Sequence, residues 1–144
     1  MIPEVKTAVR RTSIIAAGLG AILSPIPLLD ELVLFPLYGN LARRVGGYHG
    51  LAFAQVPWRP VARTAFNGLI ARAGLNLAVA YIPGVAAVAN AASAALLTEL
   101  FGEWVDGACD NPAEAKAMGI RDVANLLTVK IGWKGRPAAA PSPA

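Results

Sequence analysis

Two long segments of the chain contain no charged residue, and prolines interrupt both of them. The first covers the 18 residues 12–29 and the second covers the 26 residues 73–98. A helix needs about 20 apolar residues to cross the hydrocarbon core of a bilayer, so the first segment approaches that length and the second exceeds it. Proline removes a backbone donor and disfavours helix in the residue before it. The sequence therefore predicts two helical hairpins, whose structural turns lie at Pro25, Pro27, Pro83 and Gly84.

The whole pattern predicts an all-α fold without strands. We expect proline-turn hairpins over about 5–45 and 58–108, followed by a short helical extension over 112–132. Together they form one helical domain, 1–132, because no linker separates the segments. The Pro/Ala-rich residues 133–144 have the composition of a flexible tail.

Local signals place the helix ends of the first hairpin. We expect helices over about 5–23 and 28–45, separated by the proline turn. Pro36 is expected to kink the second of these helices. Gly46-Gly47 then ends it, because glycine adopts the backbone conformation that commonly terminates a helix.

The second hairpin and the extension are predicted in the same way. A third helix is expected over 58–81, although a single tilted span over 73–98 is an open alternative to the turn at Pro83. Asn111 and Pro112 have the residue types of a helix start. They predict a short helix before the last amphipathic one, which is expected over 120–131.

Composition narrows the class of protein. Hydrophobic residues make up 56% of the chain and charged residues 15%, against about 45–50% and about 25% in an average soluble domain. These values exclude an intrinsically disordered chain and a highly charged coiled coil. They favour a membrane-associated protein, and the alternative is a soluble helical bundle with an unusually apolar core.

Basic residues are concentrated in the first half of the chain. Residues 1–72 carry eight basic and three acidic side chains, a net charge of +5, whereas residues 73–144 carry five basic and six acidic ones. Arginine pairs flank both ends of the first hairpin, which places both ends on the cytoplasmic side by the positive-inside rule. The residues that we expect to contact anionic lipid headgroups are Arg10, Arg11, Arg43 and Arg44.

Other charged side chains have two interpretations each. Arg59 and Arg63 can bind lipid phosphate or simply be solvated near a helix end. Asp30 and Glu31 are explained best as acidic residues in the first turn of a helix, where they suit the helix dipole. Two carboxylates at the hairpin tip argue against a tip stranded in hydrocarbon. Nucleic acid is not an expected partner, because no aromatic residues interleave with a dense basic run.

No set of residues predicts catalysis, a metal site or a cofactor. The chain has a single histidine, His49, and a single cysteine, Cys109, too few for a zinc site of the usual Cys/His type. They can form a nucleophilic pair only if the fold brings them together. Asn76 and Asn90 lie in apolar segments, and we interpret them as hydrogen-bonding groups that fix helix register. The sequence thus predicts a protein that is not an enzyme.

Two blocks of sequence resemble a known bacterial family. Residues 25–50, PIPLLDELVLFPLYGNLARRVGGYHG, contain a PIP turn, a nearby acidic residue, an apolar helix and a glycine-ended basic stretch with YxG. Residues 81–105, YIPGVAAVANAASAALLTELFGEWV, contain an IPG turn and a later helix with Thr98 and Gly102. These blocks resemble a bacterial family of unknown function that forms the membrane-associated C-terminal helical domain of Era-like GTPases. They are also similar to the EcsC family.

The resemblance covers about 8–108 and implies a membrane-associated helical domain with a GTPase as partner. The family has no assigned catalytic residues, so none is transferred to this chain. Leu37-Tyr38 and Leu41-Ala42 stand where the family commonly carries Gln and Met, so no specific contact is transferred either. The chain itself contains no GTPase motif.

These observations together lead to one expected function. The chain is expected to be a non-enzymatic protein of membrane attachment, shaping or scaffolding on the cytoplasmic face of the cell membrane, peripheral or re-entrant. Its expected partners are anionic membrane lipid, a GTPase and a second copy of itself. Self-association is suggested by the small residues Ala87, Ala91 and Ala95 at helical spacing. The alternative is a soluble helical adaptor whose apolar faces bind another protein.

Overall fold

The computed structural model of the 144-residue chain describes residues 1–23, 28–79, 82 and 85–130. The predicted turns at Pro25, Pro27, Pro83 and Gly84 and the predicted tail at 133–144 lie outside these residues. The described part is all-helical, as predicted, and contains no strand. Its helices are α1 (Pro3–Leu23), α2 (Leu29–Tyr48), α3 (Trp58–Val79), α4 (Val85–Asp110) and α5 (Ile120–Lys130), with a short 3-10 helix at Phe53–Gln55.

The first four helices form a bundle in which both hairpins point the same way. Helix α1 runs antiparallel to α4, since the Asn90 side chain donates to the Gly20 carbonyl near one end and the Ser13 hydroxyl donates to the Ala95 carbonyl further along. Helix α2 runs parallel to α4, because Asp30 and Tyr38 meet residues about 60 positions later. The ends of α1 and α3 therefore lie beside the starts of α2 and α4. We call this end of the bundle the tip and the opposite end the base.

The apolar core contains residues of all five α-helices. The rings of Tyr38 and Phe101 stack near the middle of the bundle with centroids 4.8 Å apart. Helix α4 is central, because it packs against each of the other four described α-helices. Helix α5 packs against α3 and α4, and its two buried side chains are Val123 and Leu127.

The predicted end of α2 at Gly46-Gly47 is wrong. The helix continues to Tyr48, and the left-handed residue that ends it is Gly50, with φ +72°. The Leu51 and Gly50 amides donate to the carbonyls of Gly46 and Gly47, the hydrogen-bond pattern of a Schellman cap. Gly46 is needed for packing, since a Cβ there would lie 2.6 Å from Val56 Cγ2.

The short helix predicted after Asn111 is also absent, because neighbouring helices bind the backbone groups that it would use. Residues 111–114 form a turn, and residues 115–119 are not helical. The Met118 amide donates to Thr64 Oγ1 at 3.0 Å, and Asn67 Nδ2 donates to the Met118 carbonyl at 2.8 Å.

The alternative of one tilted span over 73–98 is wrong as well, since α3 ends at Val79 and α4 runs back antiparallel to it. Helix α2 passes through Pro36 without a break.

Candidate functional site

The surface of the tip half of the bundle is apolar on every helix. We define the tip half as the described residues within 12–39 and 64–98, and the base half as the other described residues. Every exposed residue that the structure describes in the tip half is apolar, glycine or proline. Val88, for example, exposes 70% of its surface. The large exposed side chains are Ile14, Ile15, Ile22, Leu28, Leu32, Val33, Phe35, Phe66, Ile70, Leu77, Ile82, Val85 and Val88.

The only charged residues of the tip half face inward and bind one another. They are Asp30 and Glu31 in the first turn of α2 and Arg72 on α3. The Arg72 side chain is 0% exposed, and its two terminal nitrogens lie 2.7 Å from Asp30 Oδ2 and 2.8 Å from Glu31 Oε1. A buried guanidinium is tolerated when its donors are paired and hydrogen-bonded. We call these residues, together with Asn76, Asn90 and Ser93, the tip cluster.

Asn90 connects the tip cluster to all four helices of the bundle. Its amide group donates to the Gly20 carbonyl of α1 at 2.7 Å and to Asp30 Oδ2 of α2 at 3.0 Å. Its oxygen accepts hydrogen bonds from Arg72 and from Asn76 of α3. The predicted role of Asn76 and Asn90 as interhelical hydrogen-bonding groups is confirmed. No buried side-chain nitrogen or oxygen of the described residues lacks a partner, so the cluster is closed.

One arginine serves two carboxyl groups, and their pKa values separate. Burial, followed by the hydrogen bond and negative charge of Asp30, raises the pKa of Glu31 from 4.5 to about 7 despite the attraction of Arg72. Burial acts against ionisation of Asp30 too, but hydrogen bonds from Glu31, Arg72 and Asn90 outweigh it and lower its pKa. Asp30 is therefore the ionised partner of Arg72, and Glu31 is the group that gains a proton near neutral pH.

Six exposed arginines lie at one level along the bundle axis, where the tip half ends. Val9 of α1 lies against Gly102 of α4, and Gly68 of α3 lies against Leu97. With the parallel register of α2, these contacts place the arginines of α1, α2 and α3 level with residues 100–106 of α4. This group includes all four predicted headgroup contacts. We call it the basic belt: Arg10, Arg11, Arg43, Arg44, Arg59 and Arg63.

The structure does not build a nucleophilic pair from His49 and Cys109. His49 Nε2 lies 2.9 Å from Asp106 Oδ1, so the imidazole is bound to a carboxylate. Burial, with a contribution from the charge of Asp106, raises the pKa of the Cys109 thiol to about 11. The thiol is therefore protonated at neutral pH, the unreactive form of cysteine. Within the described ranges, no group of three metal-ligating side chains comes together.

Arg72 is the residue of the site that sequence reasoning missed. From the sequence alone, Arg72 is one of the basic residues of the first half of the chain, and Asp30 and Glu31 are acidic residues at the start of a helix. Both carboxylates do lie in the first turn of α2, and they also bind Arg72 across the bundle. A signal was available, because these three residues are the only charges in 12–39 and 64–98, and their signs are opposite.

Length and composition single out one described helix as able to cross a membrane. That helix is α4, with a mean hydropathy of 1.5 over its best window. Its apolar part is only 85–98, about 20 Å long at 1.5 Å per residue, because acidic residues begin at Glu99.

In the comparisons with known proteins, no family model, curated protein or solved structure matches this chain.

Proposed function

We propose that the protein is a monotopic membrane protein whose tip half inserts into one leaflet of a bilayer. The observation that carries this proposal is the inverted arrangement of the tip half, with charges inside and apolar side chains outside. In water, exposing so many large apolar side chains on one end of a bundle is unfavourable. In hydrocarbon the same surface is matched to its solvent, and the buried ion pairs avoid the cost of charge in lipid.

The depth of insertion follows from the length of the apolar surface. Helix α4 rises about 20 Å between Val85 and Thr98, whereas a hydrocarbon core is about 30 Å thick. The tip half is therefore too short to cross the bilayer, and its length is closer to the roughly 15 Å of hydrocarbon in one leaflet. The basic belt then lies at the headgroups, where Arg10, Arg11, Arg43 and Arg44 attract anionic lipid. The positive-inside rule favours the cytoplasmic face.

The ion pairs of the tip cluster make two carboxylates compatible with insertion of the hairpin tip. Asp30 and Glu31 turn away from the surface toward Arg72. Asn90 Nδ2 donates to Asp30 Oδ2, and Arg72 Nε donates to Ser93 Oγ. When Glu31 is protonated, the cluster contains one cation and one anion. Its net charge is then zero, which lowers the cost of placing it in a low-dielectric environment.

The function we propose is non-enzymatic: membrane attachment, with shaping or scaffolding of the membrane through the inserted wedge. A wedge in one leaflet expands that leaflet only, which favours curvature. The resemblance to domains attached to GTPases makes a GTPase the first protein partner to test, and a second copy of the chain is the next. The rival function is a soluble adaptor whose apolar faces bind another protein. Exposed apolar residues on all four helices favour a surrounding solvent over a partner on one face.

Vesicle flotation of two matched variants tests the proposal. Val88 and Val129 are both exposed valines, at 70% and 75%, but Val88 lies in the tip half and Val129 on α5. We expect Val88→Lys to weaken binding to phosphatidylcholine–phosphatidylserine vesicles roughly 10- to 100-fold, because a lysine within the bilayer costs up to about 2.5–3.5 kcal/mol. Val129→Lys should bind as the wild type does.

The outcomes separate the two functions. Loss of flotation in Val88→Lys alone supports insertion, provided that both variants retain the wild-type helical circular dichroism. Equal binding by both variants would contradict insertion of the tip. Fractionation of the cell extract then adds a second observation: release by detergent but not by high salt or alkaline carbonate is expected of the wild type. Recovery of the wild type in the soluble fraction would favour the adaptor.

A further inference from the structure

We propose that Arg59, Arg63 and Lys116 form a binding site for a phosphate-bearing ligand. The three side chains line a cavity of about 460 Å³ between the start of α3 and the segment that follows α4. The other residues around it are Pro60, Ala115 and Ala117, so no carboxylate lines the cavity. Within the part of the chain that the structure describes, none of the three cations forms an ion pair.

Hydrogen bonds hold the two walls of the cavity in a fixed relation. Thr64 and Asn67 of α3 bind the backbone of Met118 on both its amide and its carbonyl. Trp104 Nε1 of α4 donates to the Lys116 carbonyl at 3.3 Å. These contacts fix the backbone that carries Lys116 beside the helix that carries the two arginines. The cations are thus brought together by the fold, from residues 53 positions apart in sequence.

The geometry suits a phosphate group. Arg59 and Arg63 are four residues apart and lie on one face of α3, about 6 Å apart along its axis. Arginine binds phosphate oxygens with two parallel N–H donors, and lysine adds a mobile point charge. The cavity opens beside the first turn of α3, where the helix dipole also favours an anion. Pro60, Ala115 and Ala117 offer an apolar surface to the organic part of the ligand.

A neighbouring cavity is lined by acidic rather than basic side chains. Anions are therefore attracted to the cavity of Arg59, Arg63 and Lys116 and not to this neighbour. It has a volume of about 350 Å³, and Glu103 and Glu114 are among its lining residues. Ala115 lines both cavities, which lie on the two sides of the same segment. The charges of this surface are therefore separated rather than mixed.

The phosphate can come from a lipid headgroup or from a soluble compound. Arg59 and Arg63 both belong to the basic belt, so a headgroup source rests on the proposed insertion of the tip half. A soluble source does not need a membrane. The two sources share the same three cations, and separate probes distinguish them: inorganic pyrophosphate in solution, and phosphatidylcholine vesicles that contain phosphatidic acid. Vesicles in which phosphatidylserine supplies the same surface charge serve as the control, because its phosphate is a diester whereas phosphatidic acid and pyrophosphate present a terminal phosphate.

The decisive variant is Arg59→Gln/Arg63→Gln, and its matched control is Lys6→Gln/Arg121→Gln. Both double variants remove two positive charges from exposed positions without an ion pair within the described ranges. In solution we expect pyrophosphate to shift the amide NMR signals of Ala115 and Ala117 in the wild type and the control. Its affinity should fall about 10-fold or more in Arg59→Gln/Arg63→Gln.

A loss of pyrophosphate binding confined to Arg59→Gln/Arg63→Gln supports a site for soluble phosphate. If instead only phosphatidic acid vesicles show that specific loss, the ligand is a lipid headgroup. Equal losses in both double variants, or no response of Ala115 and Ala117 to either probe, would overturn the site. Val88→Lys reports separately on the tip, because it should impair flotation while leaving pyrophosphate binding in solution intact.

Discussion

The two halves of the bundle share the same helices but distribute polar and apolar side chains in opposite ways. In the base half, apolar side chains such as Val45 and Val105 are buried, and charged side chains cover the outside. In the tip half the charged side chains are buried and the surface is apolar. The base half is thus built for water, and the tip half is suited to a solvent that cannot hydrate charge. One continuous helix, α4, connects the two environments.

The contrast shows that the total composition of a helix does not predict where along its length the large hydrophobic side chains are exposed. Helix α4 carries buried Asn90 and Ser93 near its start and buried Phe101 and Val105 near its end. Its large exposed hydrophobic side chains, Val85 and Val88, lie at the tip end. Four predictions break or sharpen this contrast, beginning with the interior of the tip half.

Removal of the buried guanidinium should have the largest effect. Arg72→Met leaves Asp30 and Glu31 without their cation, and we expect a loss of about 3–5 kcal/mol in the free energy of unfolding. Arg63→Met, an exposed change on the same helix, should stay within about 0.5 kcal/mol. Denaturant unfolding followed by circular dichroism measures both variants.

A compensated variant keeps this prediction falsifiable. Adding Asp30→Asn and Glu31→Gln to Arg72→Met removes the unpaired charges, so most of the lost stability should return. If Arg72→Met costs no more than Arg63→Met, the cluster does not hold the tip half together.

Tight helix contacts at glycine should give the next largest effect. A Cβ at Gly102 would collide with Val9 in the base half, and one at Gly20 would lie 2.9 Å from the Asn90 carbonyl oxygen in the tip half. We expect alanine at either site to cost about 1–3 kcal/mol in thermal or denaturant unfolding.

Two glycines with open surroundings provide controls on the same helices. Nothing lies within 4 Å of a Cβ built at Gly107 on α4 or at Gly18 on α1. Alanine there should stabilise the protein by up to about 1 kcal/mol, because it has a higher helix propensity. An equal cost at contact and control positions would mean that helix packing does not depend on these close approaches.

How far the sequence predicted the fold depends on whether a signal was local. Charge-free segments and prolines located the four bundle helices to within a few residues. The local pattern does not predict the role of Gly46. Its missing side chain leaves space for Val56, and no local signal indicates that contact. The local pattern does not predict the conformation of residues 111–118, because Thr64 and Asn67 of α3 and Trp104 of α4 bind their backbone.

The candidate site was predicted in part for the same reason. The hydrogen-bonding role of Asn76 and Asn90 can be predicted from sequence, since isolated polar groups in apolar segments are conspicuous; contact of the basic belt with headgroups stays a prediction. The pairing of Arg72 with Asp30 and Glu31 needed the packing of α2 against α3. The sequence contained the opposite charges but not the register that joins them.

Reversal of charge in the basic belt should have a smaller effect, confined to the membrane. Arg43→Glu/Arg44→Glu is expected to weaken binding to anionic vesicles, since each basic residue near such a surface contributes about 1 kcal/mol. The effect should shrink at high salt because salt screens surface charge. Vesicle flotation at two salt concentrations measures it, and unchanged binding at low salt would remove these residues from the interface.

The titration of Glu31 should give the smallest effect, on the order of 1 kcal/mol for a partly exposed, coupled group. Its folded pKa, about 7, lies above the ordinary 4.5, so the folded state holds the proton more tightly. The stabilisation is therefore complete below about pH 4.5 and is lost as the pH rises to about 7. Glu31→Gln should abolish this dependence in unfolding experiments across that range. A wild type whose stability instead increases over that range would contradict the assignment.

The most direct test of the account is a measurement of depth in the bilayer. In a Cys109→Ala background, single cysteines at Val88 and Val129 are labelled with an environment-sensitive fluorophore and bound to vesicles that carry nitroxide quenchers near the bilayer centre. We predict a blue-shifted, strongly quenched signal from position 88 and a water-like, unquenched signal from position 129. Water-like signals from both positions on bound protein would contradict insertion of the tip half.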